Sequence, residues 1–224
     1  MKLIAVETGR SSLLFPLEEI APLKSIDSAE LIAGIVNRYD FKIFPADDIP
    51  REQLDKNGAK FEKGRIKFEG ALANILEFTV YNDGMVINSS STEAASAFID
   101  DLLGYIRSKF GFREFTSKTQ RTHVSQVVVE FEKPLAKLVP ASEMIIDLVA
   151  AETGKIYDSP ARMNFARLDF QLETETSNIR YPIPRFFIER RAGTPFSQER
   201  YYSSAPMNTR SHLSLLEKIE KTLR

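Results

Sequence analysis

Residues 75–88 read ILEFTVYNDGMVIN and carry the strongest structural signal in the chain. Two runs rich in β-branched and aromatic residues flank an Asn-Asp-Gly triplet at 82–84. Asp-Gly between two such runs is typical of a hairpin, because a type I′ turn needs positive φ at its centre. The stretch therefore predicts two antiparallel strands joined by a type I′ turn at Asp83-Gly84.

Other segments also have strand character. Val124–Glu132 is continuous and β-branched, whereas 164–172 alternates apolar and polar residues. The remaining predicted strands are 65–69, after a turn at 62–64, then 185–191 and 198–204. A short apolar strand opens the chain, and Glu7-Thr8-Gly9-Arg10 is predicted to be the turn that ends it.

Four segments have apolar residues at helical spacing. The predicted N-cap residues are Asp27 for the first segment, Ser90 for the second and Ser211 for the fourth. The third has Pro140 in its first turn. Its residues predicted to face inward are Met144, Ile145, Leu148 and Val149.

The order of these elements predicts an α+β fold of two similar halves. Each half reads strand, helix, antiparallel meander and helix, with the helices packed on one face of the sheet. The predicted domains are residues 1–115 and 116–224, and one continuous pseudo-symmetric domain is the alternative. Helices on one face leave the opposite face open for a partner.

Composition excludes several classes of protein. The 224 residues carry 30 basic and 31 acidic side chains, a net charge of −1, so nucleic-acid binding would need a local basic patch. The absence of cysteine excludes disulfides, Cys-ligated metal centres and a thiol nucleophile. No apolar stretch reaches the ~18 residues of a membrane span, and we expect a cytoplasmic protein without a cofactor.

A stretch from Arg180 to Arg210 has six arginines among six aromatic residues. Arginine forms bidentate bonds and stacks on rings, which suits a protein interface. Cross-strand ion pairs around core aromatics are the structural alternative. The predicted partner-binding residues are Arg180, Arg185, Phe187, Arg190, Arg191, Arg200, Tyr201 and Tyr202.

A second basic stretch covers residues 107–123 and interleaves cations with phenylalanines. This pattern can follow a phosphate backbone and stack on bases. It also fits a helix C-terminus followed by a solvated linker. The residues predicted for nucleic acid are Arg107, Lys109, Arg113, Lys118 and Arg121.

No set of residues predicts a catalytic site. Asp40, Asp47 and Glu130 could serve a metal-dependent nuclease, but their spacing is loose, and no metal site is assigned. The two histidines, His123 and His212, are expected at the surface. The favoured hypothesis is a non-catalytic binding or assembly protein that docks a protein partner, with self-assembly included. Nucleic-acid binding and metal-dependent nuclease activity are the alternatives.

Overall fold

The computed structural model describes residues 1–22, 24–46, 56–160, 162–173 and 183–223. Within these residues the chain has an eight-stranded antiparallel sheet and five α-helices. The predicted α+β class is therefore confirmed. Arg180 and Asp47, which the sequence proposed for partner and metal binding, lie outside the described residues.

The strand order across the sheet is β2-β3-β4-β1-β5-β8-β7-β6, so β2 and β6 are the two edge strands. The first four strands are β1 (Lys2–Leu14), β2 (Ala59–Phe68), β3 (Ala71–Tyr81) and β4 (Gly84–Ser89). The last four are β5 (Gln120–Glu130), β6 (Arg167–Phe170), β7 (Phe186–Arg190) and β8 (Arg200–Ala205).

The helices follow the sequence pattern, with shifted ends. They are α1 (Leu17–Ile20), α2 (Ser28–Tyr39), α3 (Thr92–Phe110), α4 (Ser142–Tyr157) and α5 (Thr209–Thr222), with a short 3-10 helix at Leu135–Leu138. Asp27 caps α2 as predicted, because its carboxylate accepts from the Ala29 N–H at 2.9 Å. The cap of α3 is Ser91, which accepts from the Ala94 N–H at 3.1 Å, so the choice of Ser90 was wrong.

The predicted hairpin at 75–88 is confirmed, but its turn is not type I′. Tyr81 pairs with Gly84, which leaves Asn82 and Asp83 as the turn residues, and neither has a positive φ. Their carbonyl groups accept from the backbone N–H groups of Leu17 and Phe15, at 2.8 and 3.1 Å. Contacts with the segment after β1 therefore help to set this turn.

The two-residue turn with type I′ character joins β2 to β3 instead. Phe68 pairs with Ala71, and the intervening Glu69 and Gly70 have φ values of 48° and 82°. Positive φ at both positions is the mark of a type I′ hairpin. Strand β2 runs through residues 62–64, where the sequence predicted a turn.

Strand β1 is longer than predicted and continues through the proposed turn at residues 7–10. Gly9 pairs with Ser89 of β4 and lies against the start of α3. A Cβ atom at Gly9 would be 2.1 Å from the backbone of Ser91 and Thr92. Glycine is therefore required here by the close approach of two backbones.

Contacts divide the chain into two compact units. The N-terminal unit contains Val6–Ser125 and Pro206–Thr209. The C-terminal unit contains Met1–Ala5, Gln126–Ala205 and Arg210–Arg224. The predicted boundary after residue 115 stays a prediction.

The core of the N-terminal unit is built around packed aromatic rings from α2, α3 and the sheet. Phe78 lies 5.1 Å from Phe98 and 5.3 Å from Phe61, centroid to centroid, and all three side chains are buried. In the C-terminal unit, the buried apolar side chains include Val127, Val129, Leu135, Ile188, Leu216 and Leu223.

Candidate functional site

Helix α4 presents an apolar face to solvent. Its exposed large side chains are Met144, Ile145, Leu148, Val149 and Ile156, which are between 47% and 74% exposed. The expectation that the first four of these residues face inward was wrong. Single exposed apolar residues are common on protein surfaces. A contiguous exposed group of this kind is instead typical of an interaction surface.

The opposite side of α4 is partly buried. Ile146, Ala150, Thr153 and Gly154 are half-buried, and Ser142 at the start of the helix is buried. The Ser142 hydroxyl donates to the carbonyl of Ala136 at 2.8 Å, which ties α4 to the preceding 3-10 helix. The helix therefore keeps its broader apolar face outward.

Charged residues lie at both ends of α4. Glu143 lies in the first turn of α4 and Lys155 in the last turn, which complements the helix dipole. Lys155 pairs with Glu152 at 2.5 Å, and both side chains are well exposed. Glu152 follows Leu148 by four residues and so lies on the apolar face. This charged interruption was the signal in the sequence that the face is not part of the core.

The predicted partner-binding residues Arg190 and Tyr201 are part of the packing of the C-terminal unit. Arg190 pairs with Glu199 at 3.2 Å and donates to the carbonyl groups of Pro195 and Gln198, at 3.2 and 2.8 Å. Tyr201 is 1% exposed and its hydroxyl donates to Glu199. Burial, together with this carboxylate, raises the pKa of Tyr201 to about 12.

Two further arginines of this set form ion pairs with acids from other strands. Arg200 pairs with Glu130 of β5 at 2.9 Å, and Arg185 lies 3.8 Å from Asp169 of β6. Glu130 and Asp169 are distant along the chain from the stretch Arg180 to Arg210. The sequence pattern of that stretch therefore does not include them. Sheet pairing, rather than local sequence, brings these opposite charges together.

The remaining described members of the set are Phe187 on β7, Arg191 directly after β7 and Tyr202 on β8. Phe187 and Tyr202 have ring centroids 5.7 Å apart, and both side chains are half-buried. The Arg167 guanidinium lies 4.2 Å from the centre of the Phe187 ring. The backbone N–H of Arg191 donates to the carbonyl of Arg200 at 3.0 Å. These contacts stabilise the hairpin formed by β7 and β8.

The basic stretch proposed for nucleic acid lies in the N-terminal unit. Arg107 pairs with Glu114 at 2.9 Å, and Arg121 with Asp100 at 2.6 Å. The Lys109 ammonium lies 5.1 Å from the centre of the Phe110 ring.

Two loop residues complete that set. Arg113 donates to the carbonyl groups of Ala21 and Glu18, at 2.6 and 2.7 Å, and Lys118 is exposed. Four of the five predicted cations therefore have interaction partners within the chain, and their role in nucleic-acid binding stays a prediction.

Glu19 of α1 holds the connector that follows α3. Its carboxylate accepts from the backbone N–H and the hydroxyl of both Thr116 and Ser117. These hydrogen bonds lower the pKa of Glu19 to about 2. The connector is therefore attached to the N-terminal unit at this point.

The two acids considered for metal binding that lie within the described residues have cationic partners. Asp40 pairs with Lys42, and Glu130 with Arg200. Among the described residues, no group of three or more histidines and carboxylates is placed to hold a metal ion.

His123 and Ser11 lie close together but do not have the arrangement of a base and its nucleophile. Ser11 Oγ is 3.0 Å from His123 Nδ1 and donates to the carbonyl of Thr92 at 3.0 Å. With its one proton on that carbonyl, Ser11 accepts from the imidazole. Ser11 is also fully buried, so a substrate could not reach it. Burial, and then the charge of Arg121, lower the pKa of His123.

No family model matches the chain, and no curated protein shows significant similarity to it. None of the helices in the described ranges is both long enough and apolar enough to cross a membrane.

Proposed function

We propose that this chain is a non-catalytic assembly protein and that its partner is a second copy of the same chain. The observation that carries the proposal is the exposed apolar face of α4, formed by Met144, Ile145, Leu148, Val149 and Ile156. Burying such side chains is the main driving force for association, at about 25 cal/mol per Å² of apolar surface. This surface replaces the arginine-rich hairpin as the favoured contact, because Arg185, Arg190 and Arg200 have ion-pair partners within the chain.

An antiparallel pair of α4 helices is the arrangement that we infer. In that pair the dipoles of the two helices run in opposite directions, which is their favourable alignment. A two-fold axis through the middle of α4 places the apolar face of each copy on that of the other and closes the assembly as a dimer. Glu143 lies about 140° around the helix from Leu148 and so is not on this face.

We further infer that the chain is an internal duplication. The element order supports this inference, since a strand, helical structure, three strands and a helix occur twice. The strand order also supports it. β1 and β5 are the central strands, and each is followed outwards by the last, middle and first strands of its own meander. Helices on one face of the sheet and an open opposite face remain part of this proposal.

Sedimentation velocity over a range of concentrations tests self-association. Leu148→Glu should weaken the dimer at least tenfold, because it places a charge in the centre of a buried apolar contact. The matched control is Leu72→Glu on β3, which changes an equally exposed leucine away from α4. This control should leave the association constant unchanged.

A second control lies on α4 itself. Glu143 is on the helix but outside the apolar face, so Glu143→Lys should leave the association constant unchanged. A chain that stays monomeric at high concentration would contradict the proposal. Equal effects of the Leu148 and Leu72 variants would contradict the assignment of the surface to α4.

A further inference from the structure

The described part of the N-terminal unit forms a partly enclosed cavity of about 380 Å³. It lies between α2 and α3 on one side and strands β2, β3 and β4 on the other. Ile32 and Ile35 of α2, Leu102 and Ile106 of α3, and Phe61 and Phe78 of the sheet form much of its wall.

The described part of the wall is almost entirely apolar. Ser28 is the only residue with a polar side chain among those described at the cavity, and none of them is charged. Such a wall offers water few hydrogen bonds, so water is readily displaced by an apolar group. A charged ligand would lose its hydration without gaining an opposite charge.

The volume indicates the size of the ligand. An apolar cavity of about 150 Å³ takes up benzene, so a cavity of this size accommodates roughly fifteen non-hydrogen atoms. The value also lies within the usual range for small-molecule sites. We propose that the N-terminal unit binds an uncharged, largely apolar small molecule of about this size between α2, α3 and the sheet.

This proposal is independent of the α4 contact, which lies in the C-terminal unit. The probe that tests it is N-phenyl-1-naphthylamine, a neutral molecule of suitable size whose fluorescence rises in apolar surroundings. Its matched counterpart is 8-anilino-1-naphthalenesulfonate, which has the same rings and an added sulfonate. We expect the neutral probe to bind with one-to-one stoichiometry and the sulfonate to bind at least tenfold more weakly.

A cavity-filling variant locates the probe. Leu31 is half-buried and lines the cavity, so Leu31→Trp should occupy the space and raise the Kd of the neutral probe at least tenfold. The chain has no native tryptophan, so a blue-shifted emission would show directly that the new ring is enclosed. Leu72→Trp adds the same ring outside the cavity and should leave the Kd unchanged. Ala59→Leu, a smaller change in the same wall, replaces Leu31→Trp if that variant does not fold.

Three results would overturn the proposal. The first is a folded Leu31→Trp or Ala59→Leu variant that binds the neutral probe with the same Kd as the parent chain. The second is equal affinity for the neutral and sulfonated probes, or no binding of either. The third is loss of probe binding in Leu148→Glu, which would place the probe on α4. Monomeric behaviour of the parent chain would refute the dimer and leave this site intact.

Discussion

His212 Nε2 lies 2.9 Å from Ser203 Oγ, and both side chains are fully buried. The Ser203 hydroxyl donates its proton to the carbonyl of Phe187 at 2.9 Å, so the imidazole must donate from Nε2. Burial lowers the pKa of His212 to about 4, so the side chain is neutral at pH 7 with its proton on Nε2. The expectation that His212 lies at the surface was wrong.

The stability of the protein should therefore fall in mild acid. An unfolded histidine takes up a proton below pH of about 6.5, whereas His212 in the folded chain does so only near pH 4. Stability from this group is present above about pH 6.5 and is lost as the pH falls to about 4. We expect a loss of about 2–3 kcal/mol between pH 7.5 and 4.5, measured by urea denaturation.

The variant His212→Gln isolates this effect from that of the carboxylates. It should be less stable at neutral pH, and its stability should fall less steeply toward pH 4.5 because glutamine does not titrate. A pH profile as steep as that of the parent chain would contradict the assignment to His212.

Gly9 should not tolerate a larger side chain. Gly9→Ala places a methyl group against the backbone of Ser91 and Thr92, which cannot move without shifting the start of α3. We expect the free energy of unfolding to fall by about 2–3 kcal/mol or more.

A second glycine serves as the control for that change. Gly104 lies inside α3, and a Cβ atom there would meet nothing within 4 Å. Gly104→Ala should raise stability by up to about 1 kcal/mol, because alanine favours the helix. Urea denaturation of both variants gives the comparison, and a neutral Gly9→Ala would refute the close approach of the two backbones.

Arg190 and Arg185 should respond very differently to the same substitution. Arg190→Met removes the ion pair with Glu199 and leaves a largely buried carboxylate without its cation, so we expect a loss of about 2 kcal/mol or more. Arg185 is more than half exposed and lies at the limit of ion-pair distance from Asp169, so Arg185→Met should change stability by less than about 0.5 kcal/mol. Thermal or urea denaturation measures both. A loss of stability in Arg190→Met as small as that in Arg185→Met would mean that Arg190 is not a structural residue.

The sequence predicts local features of this fold better than long-range ones. The hairpin at 75–88 and the Asp27 cap depend on neighbouring residues, and the structure has both. The turn at Asn82-Asp83 depends instead on Leu17 and Phe15, which the local pattern does not include.

The same limit applies to the candidate site. The sequence gives α4 an apolar face, and the charge of Glu152 is its local indication that this face is not part of the core. Which side the rest of the unit covers depends on contacts from other segments. The ion-pair partners of Arg185 and Arg200 come from β6 and β5, so their role also depends on sheet pairing. In both cases the deciding contacts are distant in sequence.

The edge strand β2 carries Lys60, Lys63, Arg65 and Lys67 along its length. Glu62 pairs with Lys60 and exchanges backbone hydrogen bonds with Ile43, so that part of the edge is already covered. A foreign β-strand adding to the rest of the edge would have to approach the positive charges of Lys63, Arg65 and Lys67, and a second copy of the same edge would be repelled. This edge thereby resists open-ended growth into fibrils. Aggregation through this border is disfavoured even in a chain that exposes apolar surface elsewhere.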